Sequence, residues 1–415
     1  MYPRFMKVRQ KFPGDRVENI TTRLDQELDK LELDKAIKKG DRVAITAGSR
    51  GIKNIPLILS RIAGRIYELG GKPFLVSAMG SHGGGTPEGQ RKVLASLGIT
   101  EGTVGCPISC SEEVVKIGVT PSHRVDVYCA REAVECDGVV VVNRVKRHTA
   151  FRAPRESGIL KMIGIGLGRV PGAEAIHSCG PEEMGQVILE LARVVSQRVN
   201  ILGGIAILEN GYDETAGLYG LKPAEFEEQE AALLKKSDGL RPSLPVEEID
   251  LLIVDEMGKN YSGTGMDSNV IGRWRIDGLP EPEKPRIKRL VVLDLSLESH
   301  GNANGIGLAD FTTRKLVDKI DFRATYLNAI TTGYFQRAAV PITAGSDREA
   351  VEMAFKTLKK EKDRISIVRI KNTLYLDEVW MSQNLRDYVL SATHLEIARE
   401  DMELTFDQSG NIGSF

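Results

Sequence analysis

The feature that most constrains the fold is an alternation between apolar runs of strand length and amphipathic segments of helix length. Four runs in the first half predict buried strands: RVAITAG (Arg42 to Gly48), KPFLVSAMG (Lys72 to Gly80), DGVVVVNRV (Asp137 to Val145) and NILGGIAILEN (Asn200 to Asn210). Between the first two lies NIPLILSRIAGRIYELGG, whose apolar residues recur at helical spacing before a Gly-Gly stop. Strands that are apolar throughout and separated by helices indicate a mostly parallel sheet that is covered on both faces.

A polar, proline-containing stretch, KKSDGLRPSLPVEEID, interrupts this pattern near Leu244. The pattern then restarts with DLLIVDEMG (Asp250 to Gly258), KRLVVLDLS (Lys288 to Ser296) and DRISIVRI (Asp363 to Ile370). A chain of 415 residues is also too long for one ordinary domain. We therefore predict two α/β domains with mostly parallel sheets and an active-site cleft between them. The domains cover residues 1–244 and 245–380, and the segment 381–415 is expected to pack back on the first domain.

Composition argues against several classes of partner. The formal net charge of -1 gives no electrostatic attraction to nucleic acid or to a membrane surface. No apolar run reaches the ~18 residues of a membrane span, and the N-terminus lacks the apolar core of a signal peptide. The five cysteines lack the spacing of a complete zinc site, which favours reduced thiols. We expect a cytoplasmic protein whose partner is a small molecule, and a homo-oligomeric state stays open.

Polar side chains follow the predicted strands at their carboxyl ends, where parallel sheets collect ligands. The loops AGSRG and GSHGGGTPEG carry Arg50 and His82, and NRVKRHT carries His148. In the second domain, DEMGKNYSGTGMD carries Lys259. If the two domains face each other, Arg50 and Lys259 can both reach an anionic substrate; otherwise both are ordinary surface charges.

The two loop histidines each have competing interpretations. Three glycines beside His82 let a ligand approach closely, and the helix that Thr86 predicts could hold an anion, but a flexible turn with an exposed histidine has the same pattern. The basic residues before His148 form either a solvated turn or a positive pocket for a carboxylate or phosphate. Such a pocket would keep the imidazole neutral, as a general base requires.

Lys161 lies in the apolar, glycine-rich stretch SGILKMIGIGLG. Burial would lower its pKa and make the amine nucleophilic, unless its stem packs on a helix while its head reaches water. The G-x-G-x-G pattern of Gly164, Gly166 and Gly168 lacks the spacing of a dinucleotide-binding loop. His177 follows, and a single histidine is more often hydrogen-bonded to a partner than bound to a metal. No HxxxH or HExxH pair supports a conventional zinc site.

Taken together, these segments resemble the nickel-dependent lactate racemase family. The resemblance is carried by GSR (Gly48 to Arg50), GSHGGGT (Gly80 to Thr86), His148, ESGILKM ending at Met162, and His177. His177 follows Lys161 by sixteen residues, and sixty-six residues separate His82 from His148, which also fits the family. The resemblance spans most of the first domain and, more loosely, the second.

The resemblance implies a role for each residue of this set. Lys161 would carry a covalently attached nickel-pincer nucleotide, a derivative of nickel pyridinium-3,5-bisthiocarboxylic acid mononucleotide, and His177 would be a nickel ligand. His82 and His148 would act as alternate acid/base residues. Arg50 would bind the substrate carboxylate, with Lys259 as a further substrate-side cation. The glycines from Gly164 to Gly172 would make room for the cofactor.

The activity that this resemblance implies is racemisation or epimerisation at C2 of a 2-hydroxy acid, by reversible hydride transfer to the tethered nucleotide. Residues 1–244 would then be a cofactor-binding domain, and cofactor-maturation enzymes would be partners. The chain departs from the lactate racemases where Ala47 or Gly48 replaces an acidic residue, and in GKNYSGTGMDSN of the second domain. We therefore expect a non-lactate subfamily, with a lactate-like acid or a sugar acid as substrate. Two other functions stay open: a non-catalytic carrier protein for the nickel nucleotide, and a zinc-dependent hydrolase that uses the same histidines.

Overall fold

The structure, a computed structural model, describes residues 2–177, 179–413 and 415. The chain divides into two compact units, one of residues 14–241 and one of residues 1–13 with 242–415. Each unit combines helices with a sheet whose central strands are parallel, so the predicted α/β fold class is confirmed. The cleft expected between the domains stays a prediction. Among the described residues, no helix is both long and apolar enough to span a lipid bilayer.

Sixteen strands occur along the described chain. They are β1 (Phe5–Gln10), β2 (Arg42–Ala47), β3 (Lys72–Ser77), β4 (Ile108–Ser109), β5 (Val114–Val119), β6 (Asp126–Ala130), β7 (Gly138–Arg144), β8 (Ile201–Glu209), β9 (Thr215–Leu221), β10 (Glu248–Met257), β11 (Arg286–Leu295), β12 (Phe311–Thr313), β13 (Ile342–Ala344), β14 (Ile367–Ile370), β15 (Glu378–Ser382) and β16 (Leu395–Met402).

The described α-helices alternate with these strands and are interspersed with short 3-10 turns. They are α1 (Ile20–Lys30), α2 (Leu33–Ala36), α3 (Ile55–Glu68), α4 (Pro87–Ser96), α5 (Glu101–Val104), α6 (Arg131–Glu135), α7 (Ile159–Lys161), α8 (Arg169–His177), α9 (Met184–Arg198), α10 (Phe226–Leu240), α11 (Ser268–Ile271), α12 (Arg314–Val317), α13 (Phe322–Thr332), α14 (Asp347–Leu358) and α15 (Arg386–Ser391). A π-helical turn, Met162–Gly166, follows α7 directly.

The unit of residues 14–241 is built on a six-stranded sheet in the order β4-β3-β2-β7-β8-β9. Its strands pair in parallel except at the edge, where β9 runs antiparallel to β8. The four consecutive valines of β7 show why the run is apolar throughout. Val139 and Val141 lie in a core with α9, whereas Val140 and Val142 lie in a second core with α1 and α3. Successive side chains of a strand point to opposite faces, so a sheet covered on both faces needs apolar residues at every position.

The other unit contains an eight-stranded sheet in the order β13-β12-β11-β10-β14-β15-β1-β16. Strands β10 to β14 pair in parallel, and β15, β1 and β16 add an antiparallel edge. Both chain ends therefore differ from the expected division, since residues 1–13 and the segment 381–415 belong to this unit and not to the first domain. The physical reason is the pairing of β1 between β15 and β16, which buries Phe5, Met6 and Val8.

Candidate functional site

One edge of the sheet in residues 14–241 collects the carboxyl ends of β3, β2, β7 and β8, because these strands pair in parallel. The strand order reverses at β2: the chain adds β3 and β4 on one side of β2, then β7 and β8 on the other. Ligands of open α/β sheets bind at such a switch point, outside the carboxyl ends of the strands. Arg50 follows β2 and His148 follows β7, so these two residues flank it.

Arg50 is the cation at this switch point. Its side chain reaches solvent and makes no hydrogen bond or ion pair with any residue that the structure describes. Arg50 is exposed, but loss of hydration still lowers its pKa, and the positive charge of Arg144 lowers it further. Arg144 itself pairs with Glu209 at the end of β8. A bound carboxylate or phosphate would therefore satisfy Arg50 in a way that the described chain does not.

Lys161 ends α7 and leads into the π-helical turn, a geometry that is frequent at functional sites. The side chain is half-buried and makes no hydrogen bond or ion pair with a described residue. Loss of hydration, and then the charge of Arg50, lower the pKa of Lys161 to about 8, while Glu156 acts in the opposite direction. Roughly a tenth of the amine is then neutral at pH 7, far more than for an ordinary lysine. This makes Lys161 a competent nucleophile.

Glycine contacts hold the Arg50 and His82 loops against the segment that carries Lys161. A side chain at Gly48 would begin 3.0 Å from Cε of Met162, and one at Gly85 would begin 2.4 Å from Cγ2 of Val170 in α8. A side chain at Gly80 would lie 3.8 Å from Ile165 in the π-helical turn. The structure therefore brings the loops of Arg50 and His82 and the Lys161 segment together at one edge of the sheet.

His82 is exposed and begins a short 3-10 turn that precedes α4. Its Nδ1 lies 2.7 Å from the backbone carbonyl oxygen of Met79. A carbonyl only accepts, so Nδ1 donates, and the neutral ring has Nε2 as its basic nitrogen. Thr86 caps α4 by accepting from the Gly89 N–H at 3.1 Å, which confirms the predicted start of this helix.

His148 is half-buried, and its ring lies on Phe151 with the ring centroids 4.4 Å apart. Its Nδ1 accepts from the Ala150 N–H at 3.2 Å, so the neutral ring carries its proton on Nε2. The two histidines are thus held in opposite tautomers: His82 presents a basic Nε2 and His148 presents an Nε2–H. In these neutral forms, the His82 ring is suited to accept a proton and the His148 ring to donate a hydrogen bond from Nε2.

A buried carboxylate, Glu156, holds the His148 loop in place. Its Oε2 accepts from the His148 backbone N–H at 2.7 Å, and its Oε1 lies 2.6 Å from the guanidinium of Arg147. Arg147 also binds Asp238 of α10 with Nε 2.8 Å from Oδ1. Arg152 adds a second positive charge, 3.6 Å from Oε2. The Glu156 side chain is 1% exposed, so protein groups rather than water compensate its charge.

The glycines after Lys161 do not have the role expected of them. A side chain at Gly164 would lie 3.1 Å from Cβ of Leu191, and one at Gly166 would lie 2.8 Å from the carbonyl oxygen of Ala78. At Gly168 it would lie 3.0 Å from the Cα of Gly172. At these positions glycine allows close packing between protein segments, so the expectation that they make room for a cofactor is wrong there.

His177 and Lys259 complete the predicted set. His177 is the last residue of α8, and its side chain lies outside the described residues. Lys259 belongs to the other unit, where it follows β10. Its backbone N–H donates to Oγ of Ser299 at 2.9 Å, and its Nζ donates to the Gly263 carbonyl at 2.6 Å. Among the described residues, no group of three or more His, Cys, Asp or Glu side chains could hold a metal ion.

Two buried glutamates were not predicted from the sequence as parts of this site. Glu156 begins the ESGILKM stretch, but its sequence context indicated no separate role for its carboxylate. The sequence could have indicated Glu230, because its helical spacing places it on the same face of α10 as Phe226, Leu233 and Leu234. A glutamate within the apolar stripe of an amphipathic helix is uncommon and indicates a specific partner.

Comparisons with known proteins place this site in context. A family model described as "Domain of unknown function (DUF362)" matches residues 47–221, which include Arg50, His82, His148 and Lys161. No curated protein matches the sequence. Several solved structures do match, among them that of the lactate racemase apoprotein from Thermoanaerobacterium thermosaccharolyticum. That chain is 15% identical, and the match covers 90% of the present chain and 99% of the other with a TM-score of 0.53. At this identity the likeness concerns the fold.

Proposed function

We propose that this protein is a racemase or epimerase that inverts C2 of a 2-hydroxy acid, with a nickel-pincer nucleotide attached at Lys161. One observation carries the proposal: a half-buried lysine of lowered pKa lies beside Arg50, a cation with no described partner, at the switch point of an α/β sheet. Two histidine loops reach the same edge. The fold likeness to a lactate racemase apoprotein supports a related role.

The chemistry of Lys161 fits covalent attachment of an acyl group or thioacyl group. The Lys161 side chain is half-buried, and its amine is partly neutral near pH 8. Attachment also removes the positive charge that burial and Arg50 disfavour. When bound, the nickel nucleotide would supply a reversible hydride acceptor, and His177 is the residue proposed as its nickel ligand.

Arg50 would bind the substrate carboxylate. Its planar fork suits two parallel hydrogen bonds to a carboxylate, and no described residue competes for them. Arg144 adds positive potential from the neighbouring strand end. A carboxylate fixed in this way sets the direction in which the C2 hydroxyl of the substrate points.

The two histidines would move the hydroxyl proton. Nε2 of His82 is the basic nitrogen of its neutral ring and can accept the hydroxyl proton of one enantiomer, while His148 in its protonated form can return a proton from Nε2 to the keto oxygen as C2 receives the hydride on its opposite face. Exchange with solvent then resets both rings. Two bases are needed because the hydroxyl groups of the two enantiomers point in different directions from a fixed carboxylate.

The second substrate-side cation, the substrate class and the protein partners are proposed from the sequence resemblance. Lys259 is proposed as a second cation on the substrate side, and a lactate-like acid or a sugar acid as the substrate. Cofactor-maturation enzymes are the proposed protein partners. The missing acidic residue near Ala47 favours a non-lactate subfamily.

The test is a stereochemical screen of single enantiomers of 2-hydroxy acids and aldonic acids. The full chain is produced together with the cofactor-making enzymes, and Lys161→Arg serves as the matched variant that keeps the charge but cannot be loaded. We expect inversion at C2 of at least one acid by the loaded protein and none by Lys161→Arg. A loaded protein that inverts none of these acids would overturn the proposal and favour a carrier of the nucleotide.

A further inference from the structure

Glu230 is a buried acid that the proposed reaction does not use. It lies on the apolar face of α10, its side chain is 1% exposed, and it makes no ion pair with any described residue. Loss of hydration raises the pKa of Glu230 to about 7. A carboxyl group in such a place disfavours folding once it is ionised, and such groups are kept mainly where they have a specific task.

The contacts of Glu230 lie at the start of the helix that carries Lys161. Its Oε2 accepts from the Leu160 N–H at 3.0 Å, and the N–H of Ile159 also stabilises the carboxylate. These are the first N–H groups of α7, which have no partner within the helix. Gly158, at the cap position, offers no side chain to bind them. Glu230 therefore caps α7 from another helix.

Gly158 is shaped to receive this carboxyl group. A side chain at Gly158 would begin 2.5 Å from Cδ of Glu230, so only glycine leaves the room. The Gly158 carbonyl accepts from Nδ2 of Asn143 at 2.7 Å. The first turn of α7 is thus held by its N–H groups on one side and by a carbonyl on the other.

We propose that Glu230 is a positioning residue for Lys161, fixing the start of α7 so that the amine is held beside Arg50 at the sheet edge. A helix of three residues has no stability of its own, and it continues into a π-helical turn that also lacks regular bonding. Its orientation depends on external partners, and Glu230 is the buried one that binds its N–H groups. The inference rests on the proposed function only in taking Lys161 as the residue to be loaded.

A cap supplied by the residue before the helix would not need a side chain from α10. A serine, threonine or asparagine at that position would satisfy the N–H groups without burying a charge. The pairing of Glu230 with a glycine at the cap position instead keeps the space next to the Lys161 segment free of any other side chain.

The test measures the reactivity of Lys161 in the full-length, unloaded protein. Acylation by an amine-reactive ester is followed by peptide mass spectrometry from pH 6 to 11. The variants are Glu230→Ala, Glu230→Gln and, as a matched control, Glu228→Gln, which changes an exposed glutamate of the same helix. Hydrogen exchange of peptides covering residues 156–168 reports on the helix itself.

We expect the acylation midpoint of Lys161 in Glu230→Ala to rise by at least one pH unit and its rate at pH 7.5 to fall several-fold. Exchange of α7 should become at least tenfold faster. Glu230→Gln, which keeps one acceptor oxygen, should restore most of both, and Glu228→Gln should equal the parent chain. If Glu230→Ala does not fold, Gly158→Ala takes its place, because the added methyl group would displace the Glu230 carboxyl group from α7: a raised midpoint supports the role and one equal to the parent overturns it.

The inference is also overturned if a folded Glu230→Ala protein keeps the parent midpoint and rate, because a structural role alone would lower stability without moving the titration of Lys161. Failure of the proposed function shows separately, as a missing adduct or missing inversion after production with the cofactor-making enzymes. The unloaded titration does not depend on that outcome.

Discussion

Glu230→Gln should make the protein more stable at alkaline pH than the parent chain, and the gain should vanish in mild acid. Burial moves the pKa of Glu230 from its ordinary value of 4.5 to about 7. A tenfold change in a protonation equilibrium corresponds to about 1.4 kcal/mol, so ionised Glu230 costs the folded state roughly 3 kcal/mol above pH 7.

The direction of this pH dependence is set by which state, folded or unfolded, binds the Glu230 proton more tightly. Between pH 4.5 and about 7 the folded protein keeps the Glu230 proton, while the unfolded chain has lost it. The folded state therefore binds more protons, and the free energy of unfolding falls as pH rises through this window. Below pH 4.5 both states are protonated and the penalty disappears.

Glutamine removes the titration but weakens one hydrogen bond to α7, at about 1 kcal/mol. We expect Glu230→Gln to equal the parent or fall about 1 kcal/mol below it at pH 5, and to exceed it by about 2 kcal/mol at pH 8. The assay is urea denaturation of the full chain at pH 5, 6, 7 and 8, with Glu228→Gln as a control that should show no trend. A difference between Glu230→Gln and the parent that is the same at every pH would refute the reasoning.

Three further predictions concern neighbouring residues. Arg50→Gln should raise the pKa of Lys161, because the charge of Arg50 is one of the two causes that lower it. The pH dependence of Lys161 acylation measures this change, and an unchanged midpoint would show that the two side chains are not adjacent. Glu156→Gln should destabilise the protein by about 2 kcal/mol, because the buried group that accepts from the His148 N–H and from Arg147 becomes a poorer acceptor. Thermal unfolding measures this loss, and an unchanged stability would argue against the role of Glu156 in holding the loop. His82→Gln in the loaded enzyme should slow inversion about a hundredfold or more, while the mass attached to Lys161 stays unchanged. Turnover and intact mass are measured together, and undiminished turnover would show that His82 does not transfer the proton.

The parallel sheet of residues 14–241 could be predicted because its strands are buried on both faces. The valine run of β7 has no alternation that another arrangement would explain, and its residues do divide between two cores. The place of β1 could not be predicted in the same way. Its partners β15 and β16 lie at the far end of the chain, and hydrophobic periodicity indicates elements but not their partners.

At the candidate site, the sequence indicated the loop residues but not the packing around Lys161. Loops at strand ends indicated Arg50, His82 and His148, because parallel strands bring their carboxyl ends to one edge. The glycines after Lys161 were misinterpreted, since glycine allows close approach of a ligand and of protein alike, and sequence alone does not distinguish the two. Glu230 lies far along the chain from α7, and only the packing of α10 shows that they meet.

The most direct test of the central claim is the mass of Lys161 itself. The full chain is produced with the cofactor-making enzymes, and intact mass, peptide mapping and nickel content are compared with those of Lys161→Arg. We expect an adduct confined to the peptide that contains Lys161, with about one nickel per modified chain, and neither in Lys161→Arg. An unmodified lysine without nickel, or an adduct on another residue, would contradict it.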